Sequence, residues 1–406
     1  MSRAGRPAGI AAWARAAPAA FLMAWGGNHF TPLLHMYEDI GGYAPWQANL
    51  LLGTYVGGLV PGLLIAAAIS DRHGRKPVML AGLGAAAMGS ALLACGLESM
   101  WVLCAGRVFA GLSVGVAMSV GTSWIKELSQ PPFDLRAGAV AGARRPSLTL
   151  TLGFALGAGV TGCLAQWAPV PWVTPYAVHL VLCVPALAAL LTAPESRRGS
   201  AGAEGARGAW WRDLRVPSAG HRRFLRVIVP AAPWVFAAAG VAYAIVPAVV
   251  QDDLGEWTTL YATVLTVVTL GTGAVVQNIV PLINRWTRGR AIVVGLTLMV
   301  AGMVLAVVAS RLGDPAFGFV VAVVLGAAYG ICVIAGLIQV QATATPQDLA
   351  GMTGLYYSLT YAGFLLPTLL AALLPVAPYD VSLVVVALAC LACLGAVAWE
   401  SRRHWD

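Results

Sequence analysis

The sequence predicts an all-α membrane protein, with twelve transmembrane helices forming two pseudo-symmetric six-helix bundles. Three observations carry this. Of 406 residues, 59% are hydrophobic and only 10% charged, whereas a soluble chain carries about a quarter charged residues. The apolar positions come in unbroken runs of about twenty, the length that crosses a ~30 Å hydrocarbon layer as a helix, and lack the amphipathic stripe of a soluble helix. A short charged stretch also recurs, in degenerate form, once in each half.

The first run covers about residues 17–37. Arg3, Arg6 and Arg15 precede it and imitate a leader sequence, but it lacks a small-residue cleavage site and is read as a retained span. It contains WGGNHFTPLLHMY, in which Trp25 and Asn28 are three apart and share a helical face. Histidine as a residue type titrates near neutral pH, so His29 is a candidate for carrying a coupling proton where carboxylates are missing. Span 2, about 46–69, ends in AISDRHGRKPVML, and span 3 follows at about 78–97.

Span 4, about 100–125, holds Arg107, the one formally charged residue that lies away from the ends of its span. Charge in the hydrocarbon layer costs a few kcal/mol, so Arg107 is a functional candidate. No Asp or Glu falls near the middle of any span. Span 5, about 146–166, has Gly153, Gly157 and Gly159 for close helix approach. Span 6, about 173–193, carries His179, and residues 194–223, rich in Gly, Ala and Arg, read as a linker. The N-terminal bundle is thus 1–193 and the C-terminal bundle 224–406.

Span 7, about 224–250, has prolines and a glycine suited to bending, with Trp234 and Tyr243 as polar-capable rings. Span 8, about 257–283, contains Gln277-Asn278. Spans 9 and 12, about 290–310 and 380–399, rest on apolar length alone. Span 10, about 315–341, has Tyr329, and span 11, about 351–375, aligns Tyr357 and Tyr361 on one face. Trp25, Asn28, Trp234, Tyr243, Gln277, Asn278, Tyr357 and Tyr361 together predict a cavity that is apolar and aromatic, with little fixed charge.

Orientation follows from Lys and Arg. If the spans alternate, 23 of the 25 fall on one side, Arg311 falls on the other, and Arg107 lies within the membrane. The basic side is expected to be cytoplasmic, with both termini inside. This placement, together with an anionic inner leaflet, accounts for the net charge of +8 without nucleic acid. The seven cysteines all lie in apolar runs and read as small core residues, so neither a metal nor another cofactor is expected.

The charged stretch after span 2 holds Asp71, Arg72, His73, Gly74, Arg75 and Lys76; after span 8 the corresponding turn reads LINRWTRGRAIVV. This six-plus-six repeat is a transporter architecture. The chain here resembles the major facilitator superfamily. The family's loop 2–3 signature, roughly G-x-L-[AS]-D-R-x-G-R-[RK], appears as Ala67 to Lys76, with Ala67 replacing the usual glycine. AGRVFAGLSVGVA resembles the span 4 signature, with Arg107, Gly111 and Gly115. WIKELSQPPFDLRAG (Glu127, Arg136) and APESRR (Glu195, Arg197) resemble further family landmarks.

The resemblance implies a gate built on Asp71, Arg72, Gly74, Arg75 and Lys76, with Asp71 docking near Leu349 to Met352. It also implicates Arg107 in proton coupling or substrate contact. The expectation is a secondary transporter, bacterial and monomeric, in the inner membrane, exporting a small lipophilic or amphipathic molecule against protons. Span 5 lacks the Gly-Pro usual in the drug antiporters. Uptake or facilitated diffusion of a neutral metabolite such as a sugar is the alternative. A membrane enzyme is remote, since HExxH and paired intramembrane acids are absent, and no GxxxxGK[ST] loop supports ATP-driven pumping.

Overall fold

A computed structural model describes residues 10–135, 137–138, 141–196, 216–345 and 348–402. Arg136, Arg197 and most of the linker lie outside the described residues, as do both extreme ends of the chain. Among the described residues every regular element is helical.

Twelve elements cross the fold. Helix α1 (Ala12–Asn28) breaks at Pro32 and resumes as Leu34–Asp39. Then come α2 (Pro45–His73), α3 (Arg75–Cys95), α4 (Met100–Leu128), α5 (Ala141–Trp167) and α6 (Thr174–Thr192). The second half holds α7 (Phe224–Val249), α8 (Gly255–Trp286), α9 (Ala291–Leu312), α10 (Pro315–Thr343), α11 (Gly351–Leu373) and α12 (Tyr379–Glu400). The twelve expected spans are present; α1 is the one split too short to cross in a single unbroken helix.

Glycine sets how the helices meet, and it does so in the same pairs in both halves. A Cβ on Gly58 or Gly111 would collide with the backbone of the facing helix, at Val108 and Tyr55 respectively, so α2 and α4 touch main chain to main chain. In the second half, Gly326 and Gly330 of α10 meet the backbone of Thr269 and Gly273 on α8 in the same way. Gly153 and Gly157 of α5 press on Phe21 and Trp25 of α1, as Gly363 of α11 presses on Pro233 of α7. The expected role of small residues in α5 thus holds for two of three; Gly159 instead faces Val267 of α8 at 3.6 Å. Close backbone approach is the main source of helix attraction where lipid and protein are equally apolar.

The halves meet along two seams near the acidic end of the bundle. Gly162 of α5 lies against Thr263 of α8, and Gln166 Nε2 donates to the Glu256 carbonyl at 3.0 Å. Gly53 of α2 lies against Leu365 of α11. Toward the basic end α4 and α5 stand apart from α8, α10 and α11 around a central cavity, while α2 and α11 stay in contact at Leu64 and Gly354. Proline punctuates three of the helices beside it. Pro32, Pro281 and Pro367 accompany segments tightened to three residues per turn, at Thr31–Leu33, Gln277–Ile279 and Ala362–Phe364. A proline cannot donate to the carbonyl four residues back, so the neighbouring turn tightens.

Candidate binding cavity

The central cavity encloses about 110 Å³ midway along the bundle and draws its wall from both halves. It continues into a vestibule of about 450 Å³ between α4 and α5 on one side and α8, α10 and α11 on the other. Thr151, Phe154, Phe236, Gln277, Tyr329 and Tyr361 line both, so the two spaces are continuous. Lys126 stands in the vestibule, at the basic end.

Aromatic rings form much of the wall. Phe236 and Tyr361 stack at 4.1 Å and 20°, with Phe364 and Tyr329 at 4.8 and 5.5 Å from Phe236. Tyr55 reaches the cluster from the other half, 6.1 Å from Tyr361.

Arg107 is the single charge on the central wall. It is 1% exposed, and its guanidinium lies between the rings of Phe30 and Tyr55, at 4.5 and 4.7 Å from their centroids. Nε donates to the Leu51 carbonyl at 2.9 Å and Nη1 reaches the Gly27 carbonyl at 3.5 Å. A charged side chain at membrane depth costs about 2.5–3.5 kcal/mol on insertion scales. Desolvated cation–π contacts of about 2 kcal/mol each are large enough to offset it. No carboxylate lies beside Arg107 among the described residues, and no acid lines the cavity or vestibule.

Of the residues singled out in the sequence, Asn28, Tyr243, Gln277 and Tyr361 stand with Arg107 on the central wall, and Tyr357 lines the vestibule. The wall forms without Trp25, Trp234 and Asn278. Trp25 packs edge-on to Phe21 at 5.9 Å, Trp234 joins the apolar core, and Asn278 bonds the carbonyls of Ala274 and Val275 in its own helix. His29 sits behind the wall, fully buried, 4.8 Å from the Tyr176 ring and 5.1 Å from His179. His179 is held by Ser90 Oγ at 2.8 Å and the Leu22 carbonyl at 2.9 Å. Tyr55, Thr31, Thr151 and Phe236 line the cavity without having been singled out. Tyr55 lies in LLGTYVGG, where only its hydroxyl distinguishes it from a packing residue.

At the basic end, three separate sequence landmarks converge. Arg75 donates to Glu127 at 2.8 Å, Asp71 at 2.9 Å and Ser70 at 2.9 Å. The Glu195 carboxylate accepts the backbone N–H groups of Arg75 and Lys76 at 3.0 and 2.9 Å, capping α3 from the far end of α6. Lys76 Nζ reaches the Leu191 and Ala193 carbonyls. Gly74 has φ 95° and ψ 165°, a region open essentially to glycine alone. Arg72 lies on the last turn of α2.

The corresponding turn between α8 and α9 has no matching acid. Gln339 Nε2 holds the Gly289 carbonyl at 3.0 Å, and Asn284 Oδ1 accepts from Ala291 N at 3.5 Å. Beside α2, the start of α11 carries the end of the linker. Val216 packs on Gly351, and the Ser218 N–H donates to Asp348 at 2.9 Å. Hydrogen bonds from Ser218 and Thr345 hold the Asp348 carboxyl down at about 2.

The model of the Major Facilitator Superfamily matches residues 16–366 of the chain. The fold is similar to that of the nucleoside transporter NupG, in a mutant form. The TM-score is 0.75 at 12% identity, covering 95% of this chain and 99% of that one. It is also similar to a POT family transporter in complex with 5-aminolevulinic acid. There the TM-score is 0.72 at 12% identity, covering 97% and 96%. No curated protein matches by sequence. With the family's model covering most of its length and all twelve helices in place, the chain belongs to the Major Facilitator Superfamily.

Proposed function

We propose that this chain is a monomeric secondary transporter that exports a small amphipathic molecule across the bacterial cytoplasmic membrane, by alternating access and against proton entry. The observation that carries the reading is a midplane cavity shared by both halves, open toward the basic end and closed at the acidic end. With the basic end cytoplasmic, the conformation is inward-facing and presents the cavity to the cell interior. Export then requires the α5–α8 and α2–α11 seams to part while the halves close at the basic end. In that closed state Asp71 docks at the start of α11, and the Arg75 cluster keeps the α2–α3 turn rigid enough to act as a latch.

Arg107, on the cavity wall, is the coupling residue in this scheme. His29 acts from behind the wall through its ring contacts with Tyr176 and His179.

The test is internal pH in proteoliposomes as substrates are added under an imposed proton gradient. Substrate-dependent proton flux that falls in Arg107→Ala and His29→Ala supports the scheme. Labelled substrate crossing with no proton movement leaves a facilitator and removes the coupling.

A further inference from the structure

The cavity carries one fixed charge and several unused hydrogen-bonding groups. Arg107 makes only the two carbonyl bonds given above among the described residues, so its Nη2 donates to no protein acceptor. The hydroxyls of Tyr55, Tyr243 and Tyr329 and the carboxamide of Gln277 line the same space, and none is hydrogen-bonded to the described protein. The one other amide on the wall is already used: Asn28 Nδ2 donates to Phe154 O at 3.0 Å, and Asn28 Oδ1 accepts from Thr31 at 3.0 Å. What remains is one fixed cation, hydroxyls and a carboxamide that can each donate or accept, and no carboxylate.

We infer that the cavity binds an aromatic monoanion, an arylcarboxylate, with its carboxylate on Arg107 and its ring against Phe236 and Tyr361. This names the substrate class of the transport site and rests on that reading. One guanidinium with free donors is matched by one carboxylate, and charge-assisted bonds of this type are roughly twice as strong as neutral ones. A cation would meet uncompensated like charge at low dielectric, and a dianion would leave one surplus negative charge. A neutral ligand would leave Arg107 as it is now. The flat stacked pair favours a planar ring over an aliphatic chain.

The experiment uses the purified full-length chain in detergent and three probes of one shape: labelled phenylacetate, phenylacetamide and phenethylamine. Equilibrium binding should detect phenylacetate alone. Arg107→Gln should weaken it by roughly 10- to 100-fold, the range for a lost bond to a charged group, with partial rescue in Arg107→Lys. Gln277→Leu and Tyr243→Phe keep the charge, so they inform even if Arg107→Gln fails to fold; each should weaken phenylacetate several-fold and leave thermal unfolding unchanged. Equal binding of acid and amide, preference for the amine, binding of no probe, or full affinity in Arg107→Gln overturns the assignment.

Flux of the same probes in proteoliposomes separates this inference from the transport reading. Protein-dependent passage of the amide or amine, without the acid, keeps the transporter and removes the anion site. Arg107-dependent binding of the acid without passage does the reverse.

Discussion

Arg75 holds one helix turn (Ser70, Asp71) to another segment (Glu127) through a single guanidinium. A lysine keeps the charge but cannot present that planar fork. Arg75→Lys is expected to lower stability by about 1–3 kcal/mol, read as the thermal midpoint in detergent. Gly74→Ala, forcing a side chain onto φ 95°, should cost about 1–3 kcal/mol by the same measurement. Asp348 carries a pH signature. Its carboxyl sits lower in the folded protein than the ~3.9 of an unfolded chain, so its contribution is fully present above that value. It fades as pH falls toward about 2. Asp348→Asn should flatten the acid limb of a stability–pH curve, while leaving the curve near neutrality parallel to that of the parent protein. Reading the sequence draws the eye to Asp71, an acid among bases. The residue that ties the cluster together is Arg75, and its partners Glu127 and Glu195 lie 52 and 120 positions away, beyond the reach of local pattern.

At the level of helices, glycine placement repeats the six-helix plan more faithfully than the charged motif does. The α2–α4 and α8–α10 contacts correspond, as do α1–α5 and α7–α11. The charged turn after α2 has only a weakened echo after α8, where amides replace the acids. Gly111→Val should therefore disrupt the α2–α4 contact and abolish the folded monomer peak in size-exclusion chromatography, because the facing atoms are backbone and cannot move aside. Gly84, which faces open space on α3, should accept alanine without that loss. The positions of the helices were legible because length and hydropathy are properties of a segment on its own. The wall of the cavity was only partly legible. Adjacent residues in a helix point about 100° apart, and apolar lipid and an apolar cavity select the same residue types. Gln277 and Asn278 make the point: one lines the cavity while its neighbour bonds carbonyls of its own helix.

For the molecule as a whole, the seams at the acidic end decide which state is populated. Linking residues 166 and 256 as an engineered cysteine pair in a background without native cysteines should hold that end shut. Counterflow in proteoliposomes is then expected to stop on oxidation and resume on reduction. Continued transport in the oxidised form would mean that this seam does not open during the cycle.

The lone guanidinium inside the bundle also has an electrical consequence. Each elementary charge moved across a membrane at 100 mV is worth about 2.3 kcal/mol. An empty carrier that switches access around Arg107 carries its positive charge through part of that field, whereas a carrier loaded with a monoanion is neutral there. The empty return step should then respond to voltage and the loaded step should not. On an oriented membrane this appears as a transient capacitive current whose size falls as the cavity fills.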